Sequence, residues 1–242
     1  MPEKNECSQC FDRTLEHRRS VRIFDPEAPY DPEVVTRNLK RAILAPSSSN
    51  LQLWEFHRIK DGELRQKLNE ACFNQPAART ANELIVIVTR LDKWEQRVEA
   101  NIEFIKSQEA PEDVKKRAIA YYDKIVRRLY GWAKRYPGFV LKAIQWFNGL
   151  KKPAYREVSW TDIRISAHKS VALAAQTFML GMSADGYDTC PMEGFDSARV
   201  RKLLKLPKDA EINMIIACGI RKPEGIYGPR FRLPFEQVYY EH

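Results

Sequence analysis

Leu84-Ile85-Val86-Ile87-Val88 is a run of five apolar residues, four of them β-branched. A strand with one wet face alternates polar and apolar side chains, so a continuous apolar run predicts a central strand buried on both faces. Such a strand needs partners along both edges and helices over both faces. On its N-terminal side, Trp54 to Lys60 reads as a strand and Asp61-Gly62 as a turn. Leu64, Leu68, Ala71 and Cys72 then mark the apolar face of a helix that Phe73-Asn74-Gln75-Pro76 breaks. Further back, Asp31-Pro32 has the form of an N-cap with proline at the first helical position. Val34, Val35, Leu39, Ala42 and Ile43 line that helix, which ends at Ala45-Pro46. On the C-terminal side, Thr161 to Ser183 is one long helix whose small and apolar residues surround most of its circumference, which predicts a buried central helix. Tyr187 to Phe195 is a strand running into a turn, Asp196 caps a helix with Val200, Leu203 and Leu204 inward, and Ile212 to Ile220 is another buried strand.

A short helical turn, Phe11 to His17, delivers the second informative stretch, Arg18-Arg19-Ser20-Val21-Arg22-Ile23-Phe24. In extended chain, side chains alternate, which puts Arg18, Ser20 and Arg22 on one side and Arg19, Val21 and Ile23 on the other. Two guanidinium forks and a hydroxyl on one wall suit a phosphate and an electron-rich ring. The same run also fits a solvated surface. Pro46-Ser47-Ser48-Ser49-Asn50-Leu51-Gln52-Leu53-Trp54 is a loop of small polar residues, either a plain connection or a grip on a ring of alternating donors and acceptors.

The 242 residues are 44% hydrophobic, enough for a substantial core, and carry a net charge of +8. Residues 92 to 158 hold fifteen Lys or Arg against nine Asp or Glu, so six of the eight surplus charges sit there. The segment is helical in composition, with Val140, Ile144, Phe147 and Leu150 at helical spacing and Trp132, Phe139 and Trp146 beside lysines and arginines. Packing of that stripe on its own protein or on a second subunit is the preferred reading; contact with an anionic membrane surface or nucleic acid is the other. No apolar run reaches eighteen residues and Met1 to Glu6 is charged rather than an apolar signal core, which predicts a soluble cytoplasmic protein. Cys7 and Cys10 form a lone CxxC ahead of the first helix, read as a mobile reduced pair, and the four dispersed histidines predict no metal site.

Five separated signatures, taken in order, make the chain resemble the flavin-dependent nitroreductase family. They are Arg18-Arg19-Ser20-Val21-Arg22, Pro46-Ser47-Ser48-Ser49-Asn50 with Gln52 and Trp54, Asn74 before the central strand, Pro191-Met192-Glu193-Gly194-Phe195, and Arg230-Phe231-Arg232-Leu233-Pro234. The resemblance covers roughly residues 11 to 91 and 159 to 238 and leaves the basic helical segment as an insertion within a single domain, 1 to 242. Leu53 departs from it, standing where the family often has proline.

The resemblance implies an α+β fold, a central and mostly antiparallel sheet flanked by helices, in an intertwined homodimer with FMN at the interface. It assigns Arg18, Ser20, Arg230 and Arg232 to the phosphate and ribityl end of the flavin, counts Arg19 among the cofactor-binding residues, and assigns Arg22 and Asn74 to the pyrimidine edge. It places Pro46, Ser47, Ser48, Ser49, Asn50 and Gln52 on the partner subunit's flavin. Pro191, Met192, Glu193 and Gly194 pass the flavin N5 side with a backbone N–H, and glycine lets the chain come close. The implied activity is ping-pong electron transfer from NAD(P)H through FMN to a flat, electron-poor small molecule such as a nitroaromatic or quinone, with Tyr121, Tyr122, Tyr130 and Trp132 of the insertion expected to roof the pocket. Reductive dehalogenation, alkene reduction, and a non-catalytic flavin protein docked through its basic insertion stand as alternatives. Asp162, Glu193 and Tyr187 are candidate pocket residues. No G-x-G-x-x-G fingerprint separates NADH from NADPH.

Overall fold

A computed structural model describes residues 5–242. In chain order its main elements are α1 (Glu6–His17), α2 (Pro32–Ala42), β1 (Trp54–Ile59), α3 (Gly62–Ala71), α4 (Pro76–Thr80), β2 (Glu83–Arg90), α5 (Trp94–Ser107), α6 (Glu112–Ala120), a π-helical turn (Tyr121–Val126), α7 (Arg127–Arg135), α8 (Gly138–Asn148), α9 (Trp160–Ala184), β3 (Asp188–Met192), α10 (Ser197–Leu203) and β4 (Ala210–Gly219). The four strands form one sheet in the order β1-β2-β4-β3, and all three pairings are antiparallel. The fold is α+β.

The apolar run is the middle of β2, and period-two alternation sends its side chains to opposite faces. Leu84, Val86 and Val88 join one core with Leu68 and Ala71 of α3, Ala77 and Ala78 of α4, and Val200 of α10. Ile85 and Ile87 join the other, with Val34 and Val35 of α2 and Val171, Ala175, Phe178 and Met182 of α9. β3 is an edge strand, which is where Pro191, having no N–H to donate, can sit in a ladder.

α9 starts with a capping box: the Ser159 hydroxyl accepts from the Asp162 N–H, and the Asp162 carboxylate accepts from the Ser159 N–H. Asp162 therefore caps a helix, and Tyr187 likewise has a structural job, its hydroxyl accepting from the Asp31 N–H at 3.0 Å. Burial is one-sided along α9. Ile163, Ala167, Val171, Ala174 and Phe178 are covered, whereas Ile165 and Leu173 are about half exposed. The expectation of burial around most of the circumference is thus corrected: the sheet covers one face, and the opposite apolar face is open in the single chain.

Two other readings change. Cys7 and Cys10 lie within α1, whose first turn is capped by Asn5, so they are not a loose segment ahead of it; both are free thiols. Residues 92 to 158 are helical as composition predicts, but Val140, Ile144, Phe147 and Leu150 all remain exposed. The third core instead uses Trp94, Val98 and Ile102 of α5, Tyr122, Val126 and Tyr130, packed on Leu51, Leu53 and Ile163. Trp94 and Tyr130 stack with centroids 5.2 Å apart. Among the described residues no helix is long and apolar enough to cross a membrane, and no His, Cys, Asp or Glu cluster is arranged to hold a metal.

Candidate functional site

The basic stretch lies along the start of edge strand β3. Ser20 bridges Thr189 in parallel, the Val21 N–H donates to the Thr189 carbonyl at 3.1 Å, and the Arg22 N–H donates to the Gly225 carbonyl at 2.7 Å. Val21 and Phe24 are fully buried and fix the stretch to the core. Only isolated bridges hold it, so strict alternation is not imposed. Arg19 turns to the same cleft as Arg18, Ser20 and Arg22 rather than to the opposite side.

That cleft, about 320 Å³ in volume, is closed from the far end of the sequence by Arg230 and Arg232. Arg230 donates to the carbonyls of Leu15, Glu16 and Arg18 at 3.0, 2.9 and 2.6 Å, and Arg19 donates to the Gly228 carbonyl at 2.6 Å. The five arginines are satisfied by backbone or left to solvent, and among the described residues none is paired with a carboxylate. Burial, and then the neighbouring charges of Arg230, Arg232 and Arg19, press the Arg18 guanidinium below its ordinary range. Concentrated positive charge with no internal counterion is a preorganised seat for an external anion.

Gly225 lets the tail approach this stretch. A Cβ there would overlap the Ile23 carbonyl, a backbone atom that cannot step aside. We expect Gly225→Ala to lower stability by about 1–3 kcal/mol and to weaken anion binding at the cleft, read by thermal melting with and without added phosphate.

At the other end of β3 lies the Glu193–Gly194 turn, five residues from Thr189 and so about 17 Å along extended chain. Gln75, a residue the sequence reading passed over, donates to the Gly194 carbonyl at 2.6 Å. It ties the Asn74 turn to the Gly194 turn. Phe73 and Asn74 both have left-handed backbone, φ 56° and 50°, and Phe73 is exposed, a strained conformation for a bulky residue. Glu193 borders a second cleft of about 390 Å³ together with Arg164, His168 and Lys169 of α9 and Asn213 of β4. His168 is held on both ring nitrogens, by Glu211 at 3.0 Å and Asn213 at 3.0 Å. The Met192 side chain is core, buried on the opposite face.

The Pro46–Gln52 loop does not join this assembly within one chain. It is tied to α9 by the Ser48 N–H donating to Ser170 Oγ, whereas the basic stretch meets α9 where His17 Nδ1 reaches Ser183 Oγ. Thirteen helical residues separate those contacts, about 20 Å. The loop also precedes β1, at the opposite edge of the sheet from β3. Ser49, Asn50 and Gln52 all have φ near +50°; the Gln52 N–H donates to Ser47 Oγ within the loop, and helical residues between β2 and α9 hold Ser49 and Asn50. Ser49 Oγ meets the Tyr121 hydroxyl at 2.7 Å, the Tyr122 hydroxyl donates to the Ser49 carbonyl at 3.1 Å, and Asn50 and Asn101 exchange hydrogen bonds at 2.9 and 3.0 Å. Of the expected roofing aromatics, Tyr122 and Tyr130 are therefore buried support, and only Tyr121 and Trp132 stay exposed.

Fold and site together define an α+β protein that presents a cationic cradle at a sheet edge, a form suited to a phosphorylated cofactor. The chain belongs to the nitroreductase family, whose model matches residues 15–220, the helices between β2 and α9 included, and it is accordingly an oxidoreductase. It is 32% identical over 204 residues to the protein DrgA of Synechocystis, covering 84% of this chain and 80% of DrgA. It is 27% identical over 230 residues to YdgI of Bacillus subtilis, provisionally described as an NAD(P)H nitroreductase, covering 94% and 95%. A protein from Exiguobacterium sibiricum, described as a nitroreductase and solved in complex with FMN, has the same fold with a TM-score of 0.69 at 24% identity over 96% of this chain and 97% of that one.

Proposed function

We propose that the chain binds FMN and passes electrons from NAD(P)H to a flat, electron-poor acceptor, nitroaromatic or quinone-like, with the two substrates using one site in turn. The observation that carries this reading is the convergence of Arg18, Arg19, Ser20 and Arg22 with Arg230 and Arg232 in one cleft without carboxylates. The residues fit the cofactor: forked donors for a phosphate, a hydroxyl for the ribityl chain, and a path along β3 to the Gly194 turn. When bound, FMN supplies the redox chemistry, since its ring can take reducing equivalents from a nicotinamide and give them to a second molecule.

The protein's work is positional. Arg18, Arg19, Arg230 and Arg232 hold the phosphate end with Ser20. Arg22 and Asn74 meet the pyrimidine edge, where a fixed cation favours the charge the ring gains on reduction. Gln75 steadies the Gly194 turn so that its backbone N–H can face the ring.

The active unit in this reading is a homodimer, with Pro46–Gln52 of one subunit completing the flavin site of the other. Two features support it: the loop and the arginines lie apart in a single chain, and the tail exposes Tyr227, Phe231, Leu233, Phe235, Val238 and Tyr240, an apolar arm with no core of its own. A cytoplasmic setting suits five unpaired cysteines. The test is the visible spectrum of the purified protein, followed by anaerobic addition of NADH or NADPH. A flavin spectrum that bleaches is expected; a colourless protein that fails to take up FMN overturns the reading.

A further inference from the structure

A cleft of about 390 Å³ opens among the helices between β2 and α9, bordered by the π-helical turn, α7 and α8. That volume is typical of small-molecule sites, roughly 300–1,000 Å³. Leu141 and Val158 are its buried lining, and Ile125, Ile144 and Trp132 border it at 57%, 46% and 40% exposure. These side chains surround a concavity instead of packing on one another, an apolar surface without an occupant in its own chain.

Two cations, Lys124 and Arg128, share the lining. Among the described residues neither is paired with a carboxylate, while the adjacent Arg127 is bound by both Glu99 and Asp123. The Arg128 guanidinium lies 3.9 Å from the Trp132 ring centroid, which fixes the plane of its fork beside the apolar wall. Tyr155 adds a phenol hydroxyl, protonated at neutral pH as phenols are, whose pKa partial desolvation raises further. The lining helices contribute side chains from their interiors, where backbone N–H groups are already bonded, so the cleft has no amide nest of the kind that seats phosphates. A planar carboxylate matches the arginine fork better.

We propose that this cleft binds an apolar carboxylate, its body against Trp132, Ile125 and Ile144 and its carboxylate on Arg128 and Lys124. Its lining shares no residue with the arginine cradle. Isothermal titration of the full-length protein, carrying whatever cofactor it retains, tests it with decanoate, 2-naphthoate and the uncharged probe decanol.

The wild-type protein is expected to bind decanoate or 2-naphthoate at least tenfold tighter than decanol, the stronger of the two acids telling a chain from a ring. Lys124→Gln with Arg128→Gln is expected to remove that preference. Ile144→Glu, which sets a carboxylate into the cleft at an exposed position, is expected to weaken acid binding at least tenfold. Unchanged far-ultraviolet dichroism and melting temperature show that the variants fold. Absence of saturable acid binding in the wild type, no preference over decanol, or full affinity in both variants overturns the assignment, whatever the outcome for FMN.

Discussion

Asp188→Asn is expected to lower the melting temperature, read by thermal denaturation, by roughly 6–12 °C and to loosen the whole basic stretch. Asp188 opens β3 with its side chain 2% exposed, and it accepts from the Arg221 backbone N–H and from Nε, both at 2.8 Å, as well as from Nη2. The same Nη2 donates to the His17 carbonyl at 2.8 Å, so one carboxylate holds the guanidinium that holds the last residue of α1. An amide keeps the shape but removes the charge, leaving the Arg221 cation without a counterion. Breaking a buried pair from one side costs about 3–5 kcal/mol; Arg221 is 24% exposed, so about 3 kcal/mol is expected, at roughly 2–4 °C per kcal/mol for a chain of this size.

A pH signature accompanies that network. Ser183 Oγ donates to the Thr14 carbonyl at 2.8 Å, so its contact with His17 Nδ1 at 3.1 Å requires an N–H on that nitrogen, and His17 Nε2 then faces Arg221 with its lone pair at 3.2 Å. The arrangement needs a neutral ring. Burial lowers the His17 pKa below its ordinary 6.5, Asp188 opposes this, and Arg221 reinforces it. A lowered folded-state pKa means that the stabilisation is complete above about pH 6.5 and is lost as pH falls through the folded value. The melting temperature of wild type should exceed that of His17→Gln most above pH 6.5, and the gap should narrow as pH falls below it, because only wild type takes up this proton on unfolding.

What the sequence revealed and what it hid divide along one line. β2, the Asp31-Pro32 cap and the buried side of α9 were legible because local pattern and tertiary role agree: a β-branched run lies in the sheet centre, and an N-cap caps. The first turn of α1 was not, since none of its residues is buried and an element with no core contact carries no apolar rhythm. Composition could predict helices in residues 92 to 158, but could not separate the buried Tyr122 and Tyr130 from the exposed Phe147 and Trp146. Both sets are apolar at helical spacing. The candidate site was read as five stretches, and the bonds that connect them were invisible: Gln75 to Gly194 spans 119 residues, Tyr121 to Ser49 spans 72, and Arg221 to His17 spans 204. Polar contacts at such separations leave no period in the sequence.

Arg18 and Arg22 share one cleft four residues apart, and opposite phenotypes are expected on removing them. Arg18→Ala should weaken FMN retention about 10- to 150-fold, the equivalent of roughly 1.5–3 kcal/mol for a hydrogen bond to a charged group. The apo protein should not suffer. Arg18 is crowded by Arg230, Arg232 and Arg19, and the bond that Arg230 makes at this position goes to the backbone carbonyl, which alanine keeps. An apo melting temperature at or above that of wild type, beside weak FMN binding, separates a ligand role from a structural one. Arg22 differs: its backbone is fixed to Gly225, and its guanidinium lies near enough to the buried Cys190 thiol to oppose the rise that burial causes there. A cation on the ring side contributes most after reduction, so Arg22→Ala should lower the flavin potential by about 20–65 mV, the two-electron equivalent of roughly 1–3 kcal/mol, with a smaller loss of FMN affinity. Spectroelectrochemistry and FMN titration on both variants decide the matter, because a potential shift confined to Arg18→Ala with affinity loss confined to Arg22→Ala would mean that the flavin lies in the cleft the other way round.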